Sequence, residues 1–146
     1  MKKPSKLLLS YLAGFVDGEG SIGINANDRG TSRVCYDSRF VVTNTNKEVL
    51  DIFKSVFGGS VGARKKISGR KPVWTWSTSN KLAVNALRLL RPYLRIKRYQ
   101  ADLIFEWSKT VKKVGPDGHS EYVVDKRVKI VRQIHVLNKV GSMEGV

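Results

Sequence analysis

Two carboxylates set among glycines form the part of the sequence best suited to chemistry. Asp17 and Glu19 stand in the segment DGEG, after an apolar stretch that begins at Leu7. The glycines are expected to end a helix at Gly18 or Gly20, which leaves Glu19 beside unpaired backbone carbonyls. An acid there opposes the helix macrodipole, and a carboxylate beside a free carbonyl suits magnesium. The segment predicts a metal site, although an acidic turn after a helix would have the same composition.

A helix from about Leu7, capped by Ser5, is predicted to position these acids. At 100° per residue its large apolar residues share one face, which is expected to face the core: Leu8, Tyr11, Leu12 and Phe15. The other face carries a row of small or short side chains: Ser10, Ala13, Gly14 and Asp17. Small residues at this spacing let a second backbone approach closely. The row predicts a helix-to-helix interface, with a solvated face as the alternative.

The segment LAGFVDGEG, from Leu12 to Gly20, resembles the nine-residue signature of the LAGLIDADG homing endonucleases. Its small residues, acids and glycines align with that signature. The flanking residues Tyr11, Ser21 and Ile22 are also typical of the family. The resemblance implies a site-specific DNA endonuclease that uses Mg²⁺ and no small-molecule cofactor. Family members with one copy of the motif act as homodimers, so the single copy here implies a homodimer.

The resemblance also implies roles for individual residues. Glu19 matches the metal-binding acid near the scissile phosphate, and Gly18 matches the residue whose carbonyl assists. Asp17 matches the first acid, which usually serves the helix interface. Asn44 falls where the family has a Gln or Asn near the metal and its water, and Lys97 falls where a catalytic lysine follows a Pro-aromatic-Leu segment.

Two of these assignments have structural alternatives. Asn44 could be a turn residue before a helix, and Lys97 stands among arginines and could be an ordinary phosphate contact. The chain also departs from the family at Glu48, where some close relatives carry Arg; here Thr45 and Glu48 have the spacing of a capping box. The cation that stabilises the leaving group is therefore not identified by the resemblance.

The bulk composition favours a polyanionic partner. The chain has 146 residues, and its 27 Lys and Arg against 12 Asp and Glu give a net charge of +15. Basic surfaces bind phosphates by releasing counterions, a property shared by ribosomal and histone-like proteins. The single cysteine, Cys35, excludes an internal disulfide and fits a reducing, intracellular compartment, and no apolar run is long enough for a membrane span.

Alternating helix and hairpin patterns predict an α+β fold. The resemblance implies the order α-β-β-α-β-β-α, with helices packed on one face of an antiparallel, saddle-shaped sheet. One domain over 1–146 is expected, with its core at about 5–110. Inward-facing side chains are predicted in the return strand, the second hairpin and the last two helices: Val34, Tyr36, Ser38, Phe40 and Val42; Trp74 and Trp76; Ile96, Gln100, Leu103 and Trp107; Val128, Val131 and Ile134. The final basic helix is predicted at about 124–139.

The outward faces of the hairpins are polar, which fits either a solvated sheet or contact with nucleic acid. With the resemblance, these faces from two subunits form a saddle that reads the major groove of a near-palindromic double-stranded DNA. The residues expected to contact DNA are Asn25, Asn27, Arg29, Arg33, Asp37, Arg39, Val41, Arg64, Lys66, Arg70, Thr75 and Ser77. A non-cleaving protein of the same fold, either an intron RNA maturase or a DNA-binding regulator, is the alternative.

Overall fold

The computed structural model describes residues 3–27, 35–64, 68–111 and 121–140. The order of its first seven elements confirms the α+β arrangement, and a short 3₁₀ turn at Arg91–Tyr93 leads into the last two helices. The elements are α1 Lys6–Glu19, β1 Gly20–Asn27, β2 Cys35–Asn44, α2 Lys47–Phe57, β3 Ser60–Ala63, β4 Trp74–Ser79, α3 Asn80–Leu90, α4 Arg98–Thr110 and α5 Glu121–Val140. None of the helices within these ranges is long and apolar enough to cross a membrane.

The two hairpins form one antiparallel sheet in the order β1-β2-β4-β3. Because side chains alternate along a strand, the register that pairs Ile22 with Phe40 puts both on the core side, where both are fully buried. Ser38 and Val42, two positions either side of Phe40, are also buried. The alternation predicted for β1 and β2 is confirmed for these residues, whereas Val34 lies outside the described ranges.

Trp76 fills the centre of the core between the sheet and α2. Its ring lies 5.0 Å from those of Phe40 and Phe53 and 6.0 Å from that of Phe57. Its indole Nε1 donates a 2.9 Å hydrogen bond to the Gly58 carbonyl, which satisfies the one polar atom of a fully buried side chain. Core packing, rather than stacking on bases, is therefore the role of Trp76.

α1 begins as predicted but is rotated about its axis relative to the prediction. Ser5 caps it by accepting a hydrogen bond from the Leu8 amide. The residues buried in the protomer are Leu9, Leu12, Ala13 and Val16. Tyr11, predicted to face the core, is 55% exposed. The prediction centred the buried arc on aromatic residues, but α1 packs on β1, β2 and α3, where the smaller Ala13 and Val16 allow closer contact.

The start of α2 corrects the predicted capping box. The cap is Asn46, whose side chain accepts from the Val49 amide at 3.3 Å, and not Thr45. Thr45 belongs to the turn before the helix, because the Asn44 carboxamide already holds the Asn46 amide. Glu48 is exposed in the first turn, where its charge favours the helix N-terminus.

The packing faces of α4 and α5 were predicted in part. Gln100 and Trp107 are buried as expected, but Ile96 is 61% exposed because it precedes the first turn of α4. In α5, Ile134 is buried as expected, whereas Val128 is 46% exposed. The other buried apolar residues of α5 are Ile130 and Leu137.

α5 lies against the outer edge of β1 and also contacts α4. The Asn138 carboxamide donates to the Ile22 carbonyl at 2.8 Å, and His135 Nε2 lies 3.3 Å from the Ile24 carbonyl. Gln100 of α4 in turn donates to Asn138 at 3.5 Å. Polar side chains of α5 thus meet backbone carbonyls on the edge of β1 that does not pair with β2.

Candidate active site and nucleic-acid interface

The C-terminal end of α1 presents Glu19 to solvent. The helix runs through Gly18 and ends at Gly20, whose amide donates to the Val16 carbonyl. A Cβ atom on Gly20 would lie 2.7 Å from that carbonyl oxygen, so the tight exit from helix to strand requires glycine. Glu19, the last helical residue, is exposed. Its carboxylate is therefore held at the point where α1 becomes the first strand of the sheet.

An exposed stripe of small and apolar residues runs along α1 toward Glu19. Its members are Leu7, Ser10, Tyr11, Gly14 and Gly18. Leu7 is 85% exposed, which is high for a large apolar side chain. A Cβ atom on Gly14 or Gly18 would meet nothing within 4 Å. The stripe offers a second helix a flat surface bordered by apolar groups.

Two residues of the predicted interface row face their own protomer. Ala13 is fully buried in the core, so it does not belong to the exposed stripe. The Asp17 carboxylate accepts hydrogen bonds from three successive backbone amides of the segment before α4, at 2.9 Å from Arg95, 3.1 Å from Ile96 and 3.0 Å from Lys97. Ser10 and Gly14 remain on the outward face.

Lys97 lies beside the end of α1. Its Nζ donates to the carbonyls of Val16 and Asp17 at 3.0 and 3.1 Å, which places a cation on the negative end of the helix dipole. Burial lowers the pKa of Lys97 below its ordinary value, while the carboxylates of Asp17 and Glu19 act in the opposite direction. The predicted catalytic lysine and the predicted metal-binding acid therefore share one electrostatic environment.

Asn44 ends β2 at the same end of the sheet as Glu19. Gly20, which follows Glu19, pairs with Val42, and Asn44 is the second residue beyond Val42. The Asn44 Oδ1 accepts from the Asn46 amide at 2.8 Å, which is the geometry of an Asx turn. Asn44 is therefore a turn residue, as the alternative interpretation predicted. Its side-chain NH₂ group can still act as a hydrogen-bond donor.

A polar groove of about 520 Å³ crosses the sheet on the side away from the core. Five of the predicted DNA-contact residues line it: Asn25, Arg39, Val41, Arg64 and Thr75. Three further lining residues, Ser21, Gly23 and Thr43, were not predicted. Thr43 pairs with Thr75 across the central strands, and their hydroxyls lie 3.3 Å apart. The alternation of the strands was sufficient to find these three, since all share the outward face.

The other predicted contacts lie outside this groove or outside the described residues. Ser77 lines a neighbouring depression with Arg39, and Arg70 is exposed in the turn before β4. The Asp37 carboxylate accepts from the Asn80 carboxamide at 3.1 Å. Structure is not described for Arg29, Arg33, Lys66 or the side chain of Asn27.

A sequence model of the LAGLIDADG endonucleases matches residues 12–111, which include the C-terminal part of α1, the whole sheet and α4. The chain belongs to this family. It carries the LAGLIDADG motif once, in α1, as in the single-motif members. No curated protein matches the chain.

Solved LAGLIDADG structures share the fold. The homing endonuclease I-CvuI, in complex with its target in the presence of calcium, has a TM-score of 0.72 at 23% identity, over 90% of this chain and 82% of that chain. The archaeal intron-encoded homing endonuclease I-Vdi141I, complexed with DNA, has a TM-score of 0.70 at 19% identity, over 96% and 87%. I-SmaMI, bound to an uncleaved DNA target, has a TM-score of 0.62 at 18% identity; the match covers 88% of this chain and 45% of that one.

At the end of the LAGLIDADG helix, one chain supplies only some of the oxygen ligands that a divalent metal needs. Glu19 supplies an exposed carboxylate and Gly18 a carbonyl beside it, both hard oxygen ligands. Among the described residues, no group of three or more His, Cys, Asp or Glu side chains could hold a metal ion. A six-coordinate ion at Glu19 would therefore need oxygen ligands from outside the protomer, and a second Glu19, phosphates and water are of the right chemistry.

Proposed function

We propose that the protein is a homodimeric, magnesium-dependent homing endonuclease that makes a double-strand break at a long, near-palindromic DNA target. The observation that carries this proposal is the position of Glu19. Its exposed carboxylate ends the helix whose outward stripe carries no charged side chain, and the same helix leads directly into the grooved sheet. Pairing two such stripes would bring two Glu19 carboxylates together beneath the two strands of a duplex.

Each Glu19 carboxylate, with the Gly18 carbonyl, would hold Mg²⁺ against a scissile phosphate. Bound there, Mg²⁺ would supply a Lewis acid for the phosphoryl oxygen and lower the pKa of a bound water. Lys97 uses two of its three ammonium hydrogens on helix carbonyls, which leaves a third to donate to a phosphate oxygen. The side-chain Oδ1 of Asn44 already accepts from the Asn46 backbone amide. The side-chain NH₂ group of Asn44 would donate the hydrogen bond that orients the attacking water.

The groove would read bases in the major groove. Its lining combines a guanidinium, a carboxamide and hydroxyls, which can distinguish the donor and acceptor patterns of base pairs. Two-fold symmetry of the dimer would require two similar half-sites in opposite orientation. The remaining basic residues, on a chain of charge +15, would supply contacts to phosphate without reading sequence.

Replacing Glu19 by Gln tests the proposal, because Gln keeps the shape of the side chain and removes its charge. We expect strand scission in magnesium to fall at least ~100-fold, since even outer-shell partners of a metal ligand are worth about 10–100-fold. DNA affinity, titrated in calcium, should stay equal or rise as repulsion between carboxylate and phosphate is lost.

The matched control is Glu106→Gln, which neutralises an acid paired with Lys109 and Lys126 on the surface. This variant should cleave DNA as efficiently as the unmodified protein. Undiminished scission by Glu19→Gln would overturn the metal assignment. A parent protein that binds a selected duplex and never cuts it in magnesium would favour the non-cleaving maturase or regulator.

A further inference from the structure

A second cavity, of about 360 Å³, lies between α3 and the C-terminal part of α4. Its floor is formed by buried side chains, those of Ser38, Val84 and Trp107. Ser38 and Arg39 are consecutive in β2, so their side chains point to opposite faces of the sheet. Because Arg39 lines the polar groove, this cavity opens on the helical side and is separate from the proposed DNA interface.

The Ser38 hydroxyl distinguishes this cavity from an ordinary surface depression. Four polar residues are buried within the described ranges: Ser38, Thr78, Gln100 and Thr110. The side chains of the last three donate hydrogen bonds to Phe40, Asn138 and Trp107. No hydrogen bond joins the Ser38 side chain, only 2% exposed, to any described residue. The Ser38 side chain lines the cavity, so a bound molecule could reach its hydroxyl, which can donate or accept a hydrogen bond.

The mouth of the cavity is positively charged. Lys81 and Arg88 line it from one side of α3, seven residues apart, with Asn85 between them. No carboxylate belongs to the lining that the structure describes. The nearest acid in sequence to Ser38 is Asp37, whose carboxylate accepts from the Asn80 carboxamide. An anion at the mouth would therefore meet two cations and an amide donor.

We propose that this cavity binds a small organic anion that combines an acidic head with an apolar body. Lys81 and Arg88 hold the head, the body packs on Val84 and Trp107, and an oxygen atom of the ligand reaches the Ser38 hydroxyl. The volume lies within the usual range for small-molecule sites. A nucleic-acid strand fits less well, because the floor is closed and largely apolar.

The probe for the test is 8-anilinonaphthalene-1-sulfonate, which has an aromatic body and one sulfonate. Its neutral analogue, N-phenyl-1-naphthylamine, serves as the control without a charge. The intact chain should bind the sulfonate saturably, one molecule per chain, with increased fluorescence. Lys81→Gln combined with Arg88→Gln should weaken sulfonate binding roughly tenfold or more, as expected for the loss of charge-assisted contacts, and leave the neutral analogue unchanged. Lys54→Gln combined with Lys129→Gln removes the same charge elsewhere and should change neither.

Amide signals in a nuclear magnetic resonance titration locate the probe. Those of Asn85 and Ser108, which line the cavity, should shift, while those of Val128 and Arg132, beside a neighbouring apolar surface, should not. Equal weakening in both double variants, or shifts confined to Val128 and Arg132, would overturn the proposal. So would a failure of the sulfonate to bind at all, which would mean that the cavity holds only water.

Discussion

Asp17 and Lys97 hold each other's backbone. The Asp17 carboxylate accepts from three consecutive amides that end at Lys97, and the Lys97 ammonium donates to carbonyls of Val16 and Asp17 itself. Each side chain therefore forms hydrogen bonds with backbone groups beside the other. This reciprocal clamp fixes the end of α1, and with it Glu19, to the segment that precedes α4.

Asp17→Asn should loosen this clamp. The amide retains one acceptor oxygen but loses the charge that strengthens hydrogen bonds from backbone amides, so we expect the free energy of unfolding to fall by roughly 1–3 kcal/mol. Urea titration measures the loss. Asp51→Asn, which breaks an exposed pair with Lys47, should cost no more than about 0.5 kcal/mol. Equal losses in the two variants would contradict a special role for Asp17.

Lys97 should also make stability depend on alkaline pH. Burial lowers the pKa of its ammonium in the folded chain below the ordinary 10.5. Between those two values the unfolded chain binds more protons, so the free energy of unfolding should rise with pH across that window. In Lys97→Met this part of the slope should disappear, whereas Lys54→Met should retain it. Urea titrations from neutral pH up to 10.5 test both, and parallel slopes in all three proteins would refute the assignment.

The proposed dimer should depend on Gly14. A side chain there meets open space within the protomer, so Gly14→Leu should fold normally, yet it should hold two facing helices apart. We expect the variant to sediment as a monomer at micromolar concentration while the parent sediments as a dimer. Ser55→Leu, at an exposed position of α2, serves as the control and should remain dimeric. A monomeric parent would contradict a site built from two subunits.

Arg39 should contribute to sequence choice rather than to general affinity. It lies in the groove with Asn25 and Thr75, where a guanidinium can reach base edges. Arg39→Ala should relax preference at one position in each half-site, with a loss of roughly 1–3 kcal/mol for the preferred base. Selection of cleaved sites from a randomised DNA library measures this. Lys54→Ala should leave the preference intact, and uniform weakening by Arg39→Ala would make it a phosphate contact.

Features that depend on neighbouring residues could be predicted from the sequence. The Ser5 cap, the alternation that buries Ile22 and Phe40, and the position of Glu19 at a helix end all follow from local spacing. The choice between Thr45 and Asn46 as a cap could not be predicted, because both can cap and the decision depends on the turn that Asn44 makes.

Features that depend on distant contacts were missed or misplaced. The bond from the Lys97 amide to Asp17 joins residues 80 positions apart, and no local pattern marks it. The rotation of α1 is likewise set by the sheet and α3, so Tyr11 was placed in the core and Ala13 on the surface. Lys97 and Asp17 were both identified by resemblance, but their mutual contact could be found only in three dimensions.

The position of α5 has a consequence for how the sheet avoids edge-to-edge aggregation. A strand at the edge of a sheet can pair with another chain and nucleate aggregates. On β1 the carbonyls of Ile22 and Ile24 face Asn138 and His135 of α5, and the opposite edge, β3, is only four residues long. These two features reduce the backbone that each edge of the sheet offers for pairing with another chain.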